Sequence, residues 1–282
     1  MRVRFWGVRG SVAVPSERMM RYGGNTACVE VTLDDGTEII FDAGTGIREL
    51  GAARSADAHR IQILLTHLHL DHIQGLLFFP PLFDRANEIT VYGPPAPGPD
   101  LDQRLARYLS APLSPVDLHE LPARVEFAAC PYEEWRVGDA RIRAAIVAHR
   151  GVTLGYRISE GQTSLCYLPD HEPALGTALA EADRGWISGM ALAAGASLLV
   201  HDGQYDESEY PAHVGWGHSS VFDAVTFAQR AEVQRLILFH HDPTHDDGAL
   251  DRLSDRARDA WAQAGGDGER LSLASEGMTL TL

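Results

Sequence analysis

The sequence predicts an α+β fold in which two β-sheets pack face to face and helices cover their outer surfaces. Short apolar runs separated by glycine-containing turns fill the first 65 residues, and this pattern indicates strands. Further along the chain, similar runs are mixed with amphipathic segments that predict helices. Strands first, followed by strands mixed with helices, suit two packed sheets with helices outside.

The predicted strands carry the alternating or continuous apolar patterns of half-buried and buried sheets. Asp34, Asp35 and Gly36 form a turn signal between the second and third strands, so these two are expected to pair as a hairpin. In chain order, the predicted strands are residues 3–6, 27–31, 38–42, 60–65, 142–147, 155–158, 164–168, 197–200, 235–239 and 278–282.

Amphipathic segments predict three helices. A short one covers residues 101–109. Ser220 with Asp223 resembles a capping box, which would begin a second helix at this point. The third helix has an apolar face formed by Leu250, Leu253, Ala257 and Trp261.

Length and composition are those of an ordinary globular protein. The chain has 282 residues, of which 45% are hydrophobic and 22% charged, so it is long enough to bury a substantial core. We expect a single domain over residues 1–282. Residues 93–124 are rich in proline and hold only one short amphipathic piece, so we expect a loop and helix excursion from the main fold there.

The charge balance is strongly acidic. The net charge is −15, with 39 acidic residues against 24 basic ones, all of which are Arg. Proteins that bind nucleic acids normally carry a dense basic stripe, and no Arg cluster here has that density. We therefore expect a small anionic ester as substrate and consider a large nucleic acid an unlikely partner. The sequence leaves a homodimer open.

The chain shows no targeting or membrane signal. Its start lacks the apolar core of a signal peptide, and no run of about 18 apolar residues could span a bilayer. A cytoplasmic location and no membrane partner are the expectation. Cys28, Cys130 and Cys166 are odd in number and lie in or beside apolar stretches, so we interpret them as reduced structural thiols.

The segment that carries chemistry runs from Thr66 to His72. It offers His67, His69, Asp71 and His72, which are three imidazoles and one carboxylate within six residues. This is the nitrogen and oxygen donor set that zinc accepts. In an extended turn the first two histidines would point to one side and the last two donors to another, so the segment could serve two adjacent metals.

The sequence THLHLDHIQG, residues 66–75, resembles the signature of the metallo-β-lactamase superfamily. Further motifs follow the order seen in its branch of ribonuclease Z and cyclic-phosphate phosphodiesterase. They are GVRGS at 7–11, YGGNT at 22–26, FDAGTG at 41–46, VHDG at 200–203, GHSS at 217–220 and FH at 239–240. The resemblance implies a four-layer αββα sandwich with two mixed sheets flanked by helices.

The resemblance also implies the remaining metal ligands. His149 would complete the site of His67 and His69, and Asp170 would bridge the two metals. His240 would complete the second site with Asp71 and His72. His241 is adjacent, and since neighbours leaving a strand point oppositely, only one of the pair should bind metal. Two Zn²⁺ ions are expected, while Mn²⁺ or Fe would suit similar sites.

The resulting hypothesis is a phosphodiesterase in which a hydroxide shared by the two metals attacks phosphorus. Asp71 would orient it, His218 would protonate the leaving group, and Asp202 would position His218. The alternative for His218 is helix capping before Ser220, and for Asp202 a solvated surface role. Hydrolysis of a carboxylic ester, lactone or thioester stays open, as does a metal-retaining regulatory or ligand-binding protein with little catalysis.

Overall fold

Alternating or continuous apolar residues build fourteen strands in the part of the chain that the computed structural model describes, residues 1–54, 59–131 and 133–282. The strands are β1 (Arg2–Gly7), β2 (Cys28–Thr32), β3 (Glu38–Phe41), β4 (Arg60–Leu64), β5 (Glu88–Gly93), β6 (Arg124–Ala129), β7 (Trp135–Val137), β8 (Ala140–Ile146), β9 (Leu154–Glu160), β10 (Thr163–Leu168), β11 (Leu198–Asp202), β12 (Leu236–Phe239), β13 (Leu271–Leu273) and β14 (Thr279–Thr281).

These strands form two mixed sheets of seven strands each. The first has the order β14-β1-β2-β3-β4-β5-β6, and the second has the order β13-β12-β11-β10-β9-β8-β7. In the first sheet β3 to β6 are parallel, whereas β14, β1, β2 and β3 pair antiparallel. In the second sheet β10 to β13 are parallel, whereas β7 to β10 pair antiparallel.

Helices connect and cover the strands. The α-helices are α1 (Ile47–Ala52), α2 (Leu70–Ile73), α3 (Leu101–Ala106), α4 (Met190–Ala193), α5 (Tyr210–His213), α6 (Val221–Arg230) and α7 (Asp247–Gln263). Short 3₁₀ turns lie at Glu17–Met19, Leu76–Phe78, Pro80–Phe83, Leu118–Glu120, Arg184–Trp186 and Gly268–Arg270. Ser220 caps α6 as predicted, since its side chain accepts a hydrogen bond from the amide of Asp223.

Three apolar layers hold the structure together. Between the sheets, the rings of Phe41 and Tyr167 stack with their centroids 4.6 Å apart, and Phe239 packs against Tyr167. One outer layer packs α6 and α7 on the second sheet through residues such as Phe227. The other packs α1 and α3 on the first sheet through residues such as Ile47. The predicted αββα sandwich is confirmed.

The sequence analysis did not identify β5, β6, β7 and β13. Two of these, Trp135–Val137 and Leu271–Leu273, have only three residues, too few to establish a repeating pattern. The predicted excursion lies where β5 crosses to β6 and contains α3 and the turn Leu118–Glu120. Within the described residues, no helix is long and apolar enough to cross a membrane.

Candidate metal centre

The polar residues of the centre follow strands that end at a common edge of the two sheets. In the first sheet β3 and β4 run parallel, and in the second sheet β8 runs in the same direction as β10, β11 and β12. Their carboxyl ends therefore meet, and the loops that follow carry side chains from distant parts of the sequence. These side chains include Asp42, His67, His149, Asp170 and His240, and Asp202 is the last residue of β11.

The segment after β4 changes conformation in its middle. His69 is extended, with φ −67° and ψ 150°, and the single-turn helix α2 begins directly after it. Asp71 and His72 lie in this turn and are buried. The expectation of an extended turn is therefore wrong for these two residues. The helical turn directs Asp71 and His72 away from His67 and His69, so the two pairs of donors still point to different sides, as predicted for an extended segment.

One group of donors lies around His67, which is buried beneath His69 and His149. One ring nitrogen or carboxylate oxygen from each of His67, His69, His149 and Asp170 lies within 4.8 Å of the others. Nε2 of His149 is 3.3 Å from Nδ1 of His69. Nε2 of His67 is buried and has no hydrogen-bond partner among the described residues, as a ligand nitrogen requires.

A second group forms beside the first. Donor atoms of Asp71, His72 and His240 lie within 4.8 Å of one another. The Nε2 atoms of His72 and His240 are 3.4 Å apart, and Nε2 of His240 is 3.3 Å from Oδ2 of Asp71. His241 points elsewhere, because its Nε2 is hydrogen-bonded to the carbonyl of Ala274 at 2.8 Å.

The carboxylate of Asp170 lies between the two groups. Its Oδ2 is 3.7 Å from Nε2 of His67 and 3.5 Å from Nε2 of His149. Its Oδ1 is 3.0 Å from Nε2 of His72 and 3.4 Å from Nε2 of His240. Each oxygen thus faces one group, which is the arrangement that a carboxylate shared by two metals needs.

Hydrogen bonds to neighbouring residues fix the imidazole rings. Nδ1 of His149 donates to the carbonyl of Gly217 at 2.7 Å, and Nδ1 of His240 is 2.9 Å from Oε1 of Gln204. Nδ1 of His72 is 2.9 Å from Oδ2 of Asp42. When Nδ1 carries the proton, Nε2 is left as the donor atom for a metal. All three Nε2 atoms point toward Asp170.

The electrostatics fit a cation. Burial lowers the pKa of His67 well below its usual value and also lowers the pKa of His149, so both rings are neutral. Burial opposes ionisation of Asp170, yet the surrounding imidazoles hold its pKa well below the usual range. Burial likewise opposes protonation of His72, but Asp170, Asp42 and Asp71 raise its pKa well above the usual value. This concentration of buried negative charge would be neutralised by bound metal.

His218 stands beside both groups. Its ring stacks on that of His240 with centroids 4.9 Å apart and lies 5.0 Å from that of His149. Its Nδ1 is 2.7 Å from Oδ2 of the fully buried Asp202. Burial lowers the pKa of His218, but the carboxylate of Asp202, together with those of Asp170 and Asp71, outweighs burial and raises the pKa to about 9. The alternatives of a solvated Asp202 and of a capping role for His218 do not match these contacts.

Three residues around the site were missed in the sequence. Asp42 accepts hydrogen bonds from the backbone and side chain of Thr66, and its position directly after a buried strand was a usable signal. Gln204 contacts His240, and Glu172 binds backbone amides. Neither of these two lies in a motif that sequence reasoning could have recognised.

The chain was compared with known proteins. A family model described as "Beta-lactamase superfamily domain" matches residues 37–241. Ribonuclease Z of Mycobacterium sp. (strain KMS) is 30% identical over 235 residues, and the alignment covers 74% of this chain and 75% of that protein.

Solved structures share the fold. The short form of human tRNase Z has a TM-score of 0.66 and 21% identity, and the match covers 100% of this chain and 99% of that chain. A diphosphatase from the PhnP family has a TM-score of 0.70 and 17% identity, and the match covers 100% of this chain and 97% of that chain. At these identities the structural likeness concerns the fold.

These relatives correct one expectation. A large nucleic acid was considered an unlikely partner because the chain is acidic and has no dense basic stripe. That expectation is wrong, since a curated relative that is 30% identical over 74% of this chain is a ribonuclease. The physical reason is that net charge is a sum over the whole chain, whereas a substrate meets the local charge at the site.

Proposed function

Because the chain belongs to the beta-lactamase superfamily, we propose that it is a metal-dependent hydrolase of phosphodiester bonds whose centre holds two metal ions. The observation that carries the proposal is the position of Asp170. Its two carboxylate oxygens face two separate groups of histidines at 3.0 to 3.7 Å. A structural zinc site would instead be closed by four ligands, commonly with cysteine.

The residues that would hold the metals form two groups, one for each ion. His67, His69 and His149 would hold one ion, and the other would be held by Asp71, His72 and His240, with Asp170 shared. When bound, the metal pair supplies positive charge for the substrate phosphate and lowers the pKa of water, so that a nucleophile exists near neutral pH. Zinc is the proposed metal because imidazole and carboxylate suit it, and manganese or iron are the competitors that elemental analysis distinguishes.

The protein's own groups position the reactants and move the proton. Oδ2 of Asp71 accepts a 2.7 Å hydrogen bond from the amide of Ser11, which fixes the carboxylate that orients the attacking water. His218 donates a proton to the leaving oxygen, and Asp202 holds its ring in place through Nδ1. The proton donated to the leaving group therefore comes from Nε2.

The proposed substrates are phosphodiesters, with RNA among them, because a curated relative that is 30% identical over 74% of this chain is named ribonuclease Z. Carboxylic esters, lactones and thioesters are not favoured, since no described relative points to them. The hydrolase is proposed to act as one domain over residues 1–282. Its first and last strands support this, because Val3 of β1 pairs with Leu280 of β14.

Activity assays with and without chelator test the proposal. Zinc-loaded protein should hydrolyse bis-p-nitrophenyl phosphate and cleave a tRNA precursor transcript, and it should lose both activities when the metals are removed. A lactone and a thioester serve as comparison substrates. Activity that resists the chelator, or faster turnover of either carboxylic substrate, would contradict the proposal.

A further inference from the structure

A cavity of about 250 Å³ opens beside the metal centre. His67 and His69 form its inner wall, and Val152 contributes an apolar surface. Two arginines, Arg104 and Arg150, line the same cavity. They come from different parts of the fold, since Arg104 lies on α3 in the excursion between β5 and β6 and Arg150 follows His149.

Both arginines are anchored to backbone carbonyls and not to carboxylates. Nη2 of Arg104 donates to the carbonyl of Pro94 at 2.7 Å, and Nε of Arg150 donates to the carbonyl of Gly215 at 2.9 Å. Nε of Arg104 is buried and has no hydrogen-bond partner among the described residues. A guanidinium has five N–H donors, so each arginine keeps donors for a ligand.

The arginines are therefore available for an anion. Asp100 acts on Arg104 electrostatically, but within the described residues neither Arg104 nor Arg150 forms an ion pair with a carboxylate. Other arginines of this acidic chain are paired, for example Arg21 with Asp251. Guanidinium groups match the geometry of phosphate oxygens and form strong charge-assisted hydrogen bonds with them.

A larger groove of about 760 Å³ continues from this cavity. The two share Ala96 and Arg104, and the groove passes over α3 and β6, where Leu101 and Phe127 line it. A substrate that extends beyond the metal centre on this side would thus meet the arginines first.

We propose that Arg104 and Arg150 bind a second phosphate of the substrate, next to the phosphodiester that is cleaved at the metal centre. This inference rests on the proposed function. The preferred substrates are phosphodiesters that carry another phosphate close by. That phosphate is either the neighbouring one of a polynucleotide or one joined through an anhydride.

Calorimetry with the zinc-loaded protein tests the subsite by equilibrium binding, independently of turnover. The ligands are AMP with one phosphate, adenosine 3′,5′-bisphosphate with an internucleotide-like second phosphate, and ADP with an anhydride-linked one. At least one of the two-phosphate ligands should bind about tenfold more tightly than AMP, as a charge-assisted pair of hydrogen bonds implies. Equal affinity for all three ligands would overturn the proposal.

Variants assign the preference to the arginines. In Arg104→Gln/Arg150→Gln the preference for two phosphates should disappear, while the metal content stays at two ions per chain. Arg150→Gln alone should lose part of the preference for two phosphates. This variant keeps the fold because Arg150 is exposed. Arg107→Gln is the control, because Arg107 follows α3, is exposed and does not line the cavity. A preference that survives in the double variant would overturn the proposal, since metal binding alone would then explain it.

The two proposals fail in different ways. Hydrolysis of bis-p-nitrophenyl phosphate, which has no second phosphate, tests the chemistry in the parent protein. If that activity is absent while the arginine-dependent preference persists, the proposed function fails and the phosphate subsite stands. If the parent protein hydrolyses the compound and shows no arginine-dependent preference, the subsite fails and the proposed function stands.

Discussion

The buried carboxylate of Glu172 accepts a 2.7 Å hydrogen bond from the backbone amide of Gly217. The same carboxylate accepts hydrogen bonds from the amide of Gly215 and the hydroxyl of Tyr210. Glu172 thus joins the segment after Asp170 to the loop that precedes His218. The carbonyl of Gly217 also orients His149, so Glu172 links three parts of the centre without touching a substrate.

Replacing Glu172 with Gln is expected to lower kcat on bis-p-nitrophenyl phosphate about tenfold, because the amide group would face N–H donors and leave at least one unsatisfied. KM should change less than kcat, since the altered loop carries the proton donor and reaches the metal ligands only through the carbonyl of Gly217, to which His149 donates. Glu181→Gln is the control, because Glu181 is exposed. An unchanged kcat in Glu172→Gln would show that the loop keeps its position without this carboxylate.

Replacing Asp170 with Asn is expected to lower metal content below two ions per chain. The amide is neutral and offers one oxygen, whereas both oxygens of Asp170 face histidine groups. Activity should fall about 100-fold or more, because loss of a ligand should cost more than the roughly 10- to 100-fold that changes to the partners of ligands cost. Elemental analysis provides the measurement, and Asp255→Asn on the exposed face of α7 is the control. Two ions retained in Asp170→Asn would exclude a bridging role.

His218→Ala is expected to keep both metals while turnover falls by a factor of about 10² to 10⁴, the usual contribution of a general acid. The expectation follows from the 2.7 Å contact between His218 and Asp202, which orients the ring without using Nε2. His213→Ala, at the end of α5, is the control. Turnover at the parent rate would remove His218 from the mechanism, and metal loss would instead make it a ligand.

The sequence identified the part of the centre that is local in the chain. His67, His69, Asp71 and His72 are recognisable because four donors fall within six residues, and no fold is needed to bring them together. His149, Asp170 and His240 are single residues after separate strands, so residue type alone did not distinguish them from ordinary surface or core residues. Only the resemblance to a family assigned them.

Contacts that depend on three-dimensional packing were beyond sequence reasoning. Glu172 binds amides more than 40 residues away, and Gln204 contacts a histidine 36 residues away. Arg104 lies in the proline-rich region, and nothing in the sequence placed it in the same cavity as His69. The fold was more accessible because apolar patterns recur along many of the strands. The strands β7 and β13 are too short to show such a pattern, and β5 and β6 were missed although each has six residues.

The three thiols are expected to be unreactive in the native protein. Burial raises the pKa of Cys28 well above its usual value and that of Cys166 to about 12. Burial also raises the pKa of Cys130 to about 11, although a hydrogen bond with Tyr156 lowers it. At pH 8 the reactive thiolate is therefore scarce. An Ellman assay should detect less than one thiol per native chain and three after unfolding in guanidinium. Rapid native labelling would show that a thiol is accessible.

Replacing Gly10 with Ala is expected to disturb the metal centre, because Gly10 lies directly against the ring of His240. A Cβ atom at this position would lie 2.3 Å from Nδ1 of His240, the atom that contacts Gln204. His240 cannot easily yield, since it is buried and its backbone already has a φ of 61°, which is costly for a residue other than glycine. Gly10→Ala should therefore displace the ring and weaken the second group of donors.

The measurements for Gly10→Ala are metal content and turnover. We expect occupancy of the second ion to fall and turnover to decrease about tenfold or more, as for loss of a ligand's supporting contacts. Gly268→Ala is the control, because a Cβ there meets nothing within 4 Å and its φ is not in the left-handed region. If Gly10→Ala bound two ions and turned over normally, His240 would have room to move, and its close packing would not be what fixes the second metal.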